Sequence, residues 1–108
     1  MIRICDFQME GVKLKIASMS FSQAEKYVKE SGELLARADV KPEEWNRREH
    51  QTVLEALNRA NSNGDAGWTV ERIRDEMDIP TINAIYLRIL EISGLRPTGE
   101  SKGEVKAA

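Results

Sequence analysis

The sequence predicts an α+β fold, mainly helical, in which an amino-terminal β-hairpin packs against about four α-helices. Three observations lead there. Val12, Leu14 and Ile16 alternate with Lys13, Lys15 and Ala17, the period of two expected of a strand with one buried face. From Ser20 onward the apolar residues recur at three and four, the spacing of a helix face. Caps, prolines and glycines then divide the helical part into four pieces.

The hairpin spans residues 1–17. Ile2 and Ile4 alternate with Arg3 and Cys5, and Gln8-Met9-Glu10-Gly11 supplies the connection, with Gly11 able to take a positive φ. Two strands alone are marginal, so they need a helix to cover them. The first helix, about 20–38, begins near Ser20, and Ser22-Gln23-Ala24-Glu25 fits a capping box. Phe21, Ala24, Val28 and Leu35 fall on one stripe with Tyr27 and Leu34 beside it, while Lys26, Lys29, Glu30 and Glu33 mark the solvated face. The second helix, about 42–61, opens on Pro42, whose missing donor costs nothing there, followed by Glu43 and Glu44 at its positive end. Trp45, Thr52, Val53, Ala56, Leu57 and Ala60 mark one of its faces. A loop follows over 61–67. The third helix, 69–77, is capped by Thr69 and carries Val70, Ile73 and Met77. After a corner at Asp78-Ile79-Pro80-Thr81, the fourth runs over 81–93 and stops at Gly94, with Leu95 and Pro97 just beyond.

The 108 residues suit one domain, 1–97, followed by a flexible tail, 98–108, rich in Gly, Lys, Glu and Ala. With 41% hydrophobic and 31% charged residues the chain is too apolar to be wholly disordered and too charged to be membranous. Its most apolar stretch is broken by Asn83, Arg88 and Glu91, and Met1-Ile2-Arg3 leads into no signal-peptide core, so a cytoplasmic protein is expected. Cys5 stands alone and cannot pair or build a thiolate metal site; it is read as a small apolar side chain.

Catalysis is not expected, and neither is a cofactor or metal. His50 sits beside Arg47, Arg48 and Glu49 with no accompanying nucleophile motif. Glu43-Glu44 and Asp75-Glu76 are neighbours in sequence and so do not share a helix face. Residues 69–90 invite a helix-turn-helix reading, that of a small DNA-binding regulator, but Arg74 and Asp78 stand where that unit wants small residues. The would-be recognition helix offers only Arg88 as a base, and the formal charge is −2, which argues against nucleic acid as a partner. The fourth helix is instead apolar nearly all round. Ile82, Ile85, Tyr86, Leu87, Ile89 and Leu90 form either the central core helix or a protein-binding surface shared with a client or a second copy of the chain. The sequence supports both.

The order of features resembles the small tail assembly chaperones of tailed bacteriophages and prophages. The resemblance is carried by Val12-Lys13-Leu14-Lys15-Ile16 leading into Ser20-Phe21-Ser22-Gln23-Ala24-Glu25. It continues with Met77-Asp78-Ile79-Pro80-Thr81-Ile82-Asn83, Ile89-Leu90-Glu91-Ile92-Ser93-Gly94-Leu95 and the ending Glu104-Val105-Lys106-Ala107-Ala108. It implies a non-enzymatic protein of the bacterial host's cytoplasm that binds the helical tape measure protein, keeps it soluble, helps recruit tail tube protein, and is absent from the mature virion. It implies no catalytic or ligand residue.

Overall fold

Glu10 and Gly11 alone separate two antiparallel strands, β1 (Ile4–Met9) and β2 (Val12–Ala17), and Gly11 takes the positive φ, 72°, that so tight a connection demands. The computed structural model describes residues 2–61 and 67–95; beyond the hairpin it holds four helices, α1 (Phe21–Ala36), α2 (Pro42–Ala60), α3 (Val70–Glu76) and α4 (Ile79–Ile92). Most of the expected loop at 61–67 and the whole tail at 98–108 lie outside the described residues. The architecture is the expected α+β hairpin with four helices.

Pairing of Cys5 with Ile16, Phe7 with Leu14 and Met9 with Val12 puts these six side chains on the hairpin face that meets the core. The phase of β1 therefore differs from the Ile2–Ile4 alternation: both isoleucines are exposed, and Cys5 packs partly buried against the core. Past the last paired residue, Ser18 and Arg3 extend the pairing through Ser18 N–H to Arg3 O and Arg3 N–H to Ser18 Oγ, each 2.8 Å. Met19 N–H then donates to Ser93 Oγ at 2.9 Å, and α1 begins two residues on. Ser20 is the cap: its Oγ accepts from Gln23 N–H at 3.2 Å, while Gln23 Oε1 accepts from Ser20 N–H at 3.0 Å. Ser22, proposed for that role, lies inside the helix.

Helix α2 is the spine. Val53, Ala56 and Leu57 are fully buried against Phe7 and Ile16 of the hairpin, Ile73 of α3, and Ile82, Ile85 and Ile89 of α4. Arg59 ties the spine to the hairpin exit, donating from Nε to Ser18 O at 3.1 Å and from Nη2 to Ala17 O at 3.3 Å. Asn58 and Trp68 exchange two bonds, Trp68 N–H to Asn58 Oδ1 at 2.8 Å and Asn58 Nδ2 to Trp68 O at 3.1 Å, anchoring the entry to α3. The corner before α4 is tighter than its sequence suggests: Met77 ends α3 and Asp78 already caps α4, accepting from Thr81 N–H at 2.9 Å, with Pro80 inside the first turn. At its other end α4 closes as expected. Gly94 has φ 81°, Gly94 N–H bonds Glu91 O and Leu95 N–H bonds Leu90 O, the paired bonds of a Schellman stop.

Candidate functional site

The choice left open for α4 falls mostly on the side of the core. Ile85 and Ile89 are fully buried and Ile82 and Leu90 nearly so, which leaves these four no surface to offer a partner in this conformation. Tyr86 is half-buried against Tyr27 of α1. Of the six residues singled out on this helix, Leu87 is the one that stands exposed, at 40%.

Exposed apolar residues are scattered over β1, α2 and α4 (Ile4, Trp45, Ile79 and Leu87), but among the described residues three of them line up on one face of α1. Phe21, Val28 and Leu35 are 79%, 54% and 75% exposed, and no residue of this helix is buried. Sequence reasoning found the stripe but not its direction. Tyr27 and Leu34, seven residues apart on the adjoining row, are turned inward and half-buried, as is Ala24 of the expected stripe. The two apolar rows lie about 100° apart on the helix, and their identical spacing leaves open which of them faces the core. The deciding signal is a polar one. Arg48 of α2 lies with its guanidinium 4.1 Å from the centre of the Tyr27 ring. Its Nη2 donates to Tyr27 O and Ser31 Oγ, and its Nη1 to Glu30 at 3.2 Å. Glu30, expected in solvent, is thereby drawn half-under the helix. The Tyr27 and Tyr86 hydroxyls bond to each other, and burial, followed by that bond, pushes the Tyr86 phenol well above the usual tyrosine range, so it stays protonated.

Between α1 and α2 lies a groove of about 690 Å³ whose lining alternates in sign, including Lys26, Glu33, Arg37, Glu44, Arg47 and Glu55. Within it Arg37 pairs with Glu44 and Arg48 with Glu30. Arg37 holds Glu44 at 3.0 Å and Asp39 at 3.2 Å, and Glu44 also accepts from Lys41 N–H, contacts that depress its pKa. His50 is half-buried, and burial, helped by the charge of Arg74, lowers its pKa, leaving it neutral at pH 7. Burial has the opposite effect on the adjacent Glu49, raising it. Among the described residues no three His, Cys, Asp or Glu side chains gather as a metal site, and no helix is long and apolar enough to cross a membrane.

On the α3–α4 unit, Arg72 stacks on Trp68 at 3.9 Å and pairs with Glu76 at 2.9 Å, and Arg88 pairs with Glu91. These cations are engaged within the chain rather than held out toward a phosphate backbone. The chemistry that the surface offers is therefore that of apolar helix-to-helix contact along α1. Comparison of the chain with protein-family models, with curated proteins and with solved structures finds no match.

Proposed function

We propose that this protein is a non-enzymatic tail assembly chaperone of the kind made by tailed bacteriophages. In this reading it binds helical segments of the tape measure protein, keeps them soluble and helps to recruit tail tube subunits in the host cytoplasm, and it is absent from the finished virion. One observation carries the reading: α1 presents Phe21, Val28 and Leu35 as a continuous exposed stripe while its opposite side is tied down by Arg48. An amphipathic client helix can lay its own apolar face along such a stripe, meeting anchors one heptad apart. Lys26, Lys29 and Glu33 beside it keep the free protein soluble. DNA readout is the weaker reading, since Arg72 and Arg88 are already paired.

The test is co-purification with the cognate tape measure protein. Because α1 buries no residue, Val28→Asp and Leu35→Asp should fold normally and lose about tenfold or more in client affinity. Wild-type capture by both folded variants would overturn the site. If unmodified protein also fails to capture the client, the function goes with it.

A further inference from the structure

The stripe on α1 is complementary to itself. Phe21, Val28 and Leu35 lie seven residues apart, with exposed Gly32 at one edge of the stripe and half-buried Ala24 at the other, so small residues flank the large ones. Lay a second α1 antiparallel across it with Val28 against Val28. Phe21 then faces Leu35 of the second copy. Backbones can approach closely at the small positions while the large side chains interdigitate.

Charge selects this orientation. Glu25 and Lys29 sit one turn apart on the same flank of the stripe, both are exposed, and neither forms an ion pair among the described residues. In an antiparallel pair like flanks meet, which brings Glu25 opposite Lys29 of the second copy and Lys29 opposite its Glu25. In a parallel pair that flank would meet the side holding Tyr27 and Ser31, where the nearly buried Arg48 guanidinium is already shared among Tyr27 O, Ser31 Oγ and Glu30.

We infer that the free protein forms a two-fold symmetric, antiparallel α1–α1 dimer that covers its own apolar stripe, and that client and second copy compete for the same face. The competition rests on the client-binding reading; the dimer does not. A stored chaperone is thereby shielded from indiscriminate apolar contact, and a client must supply a better-matched helix than α1 itself. A seam of 16 residues is short, so the dimer is concentration-dependent rather than permanent.

Sedimentation equilibrium of the full chain, over a range of concentrations at low salt, tests this. The wild type should pass from monomer to dimer, and Val28→Asp should remain monomeric. Glu25→Lys and Lys29→Glu each replace two attractions by two repulsions and should weaken the dimer about tenfold. Mixed in equal amounts, those two variants should form a heterodimer of wild-type strength, because each Lys again meets a Glu. A wild type that stays monomeric throughout overturns the inference while leaving client capture by Val28 and Leu35 intact. A wild-type dimer unaffected by Val28→Asp, or a mixture that fails to restore association, overturns it as well. A dimer that behaves as described but captures no tape measure protein spares the inference and removes the proposed function.

Discussion

His50 and Glu49 stand side by side on α2, and burial shifts them in opposite senses. The folded chain holds His50 below its ordinary value of 6.5, because desolvation and Arg74 both disfavour the imidazolium. The unfolded chain therefore binds the proton more tightly, so this contribution to stability is complete above pH 6.5 and is lost as pH falls through the depressed folded value. Glu49 works the other way: its raised folded pKa favours the folded state below 4.5, an advantage lost as pH rises through the raised value. Between about pH 7 and pH 5 the Tm of the wild type should accordingly fall relative to that of His50→Gln, whose amide does not titrate there, while the opposing Glu49 is common to both. Parallel Tm profiles for the two proteins would show that His50 is as well solvated in the fold as outside it.

Among the elements, α1 and α4 invert the roles that their compositions suggest. Helix α4 packs chiefly along α2, and its Ile82, Ile85 and Ile89 vanish into the core shared with α3 and the hairpin. Helix α1 has the clearer one-sided stripe, yet the stripe faces outward. Leu35→Ser and Phe21→Ser should therefore change unfolding free energy by no more than about 0.5 kcal/mol, whereas Ile85→Ala, which opens a cavity in the core, should cost about 2–5 kcal/mol. Urea denaturation of the three variants measures both. Most element boundaries were legible because they rest on local chemistry: Pro42 at a helix start, Thr69 as a cap, Gly94 as a stop, Gly11 in the turn. The orientation of α1 was not, since Tyr27–Leu34 and Phe21–Val28–Leu35 have equal periodicity and only Arg48, distant in sequence, decides between them. The phase of β1 was hidden for a similar reason: Ile4 is the stronger hydrophobe, but pairing with Ile16 and Leu14 turns Cys5 and Phe7 inward. The α4 surface misled in turn because helix-wide hydrophobicity fits a core and an interface equally well, and Leu87 alone of that group remained well exposed.

Across the whole molecule the hairpin, α2, α3 and α4 share one apolar core, while α1 is laid over it by polar and aromatic contacts. The two attachments differ in how they fail. Core packing is lost only when the molecule unfolds, whereas α1 is expected to lift as a unit between its ends, Ser20 and Arg37, once the Arg48 and Tyr27–Tyr86 contacts break. Lifting would also uncover Tyr86 and part of α4, enlarging the exposed apolar surface. Native-state hydrogen exchange should therefore find α1 amides opening at lower free energy than those of α2 and α4. Arg48→Met, which keeps the aliphatic stem but removes the bonds to Tyr27 O, Ser31 and Glu30, should lower α1 protection by about 1–3 kcal/mol. The same change should leave the most protected α4 amides within about 1 kcal/mol of wild type, because they report global unfolding and Met can fill the site. If α1 and α4 instead exchange with one common free energy in both proteins, the helix is an integral part of the core, and its stripe is presented on a rigid platform rather than on an arm that opens.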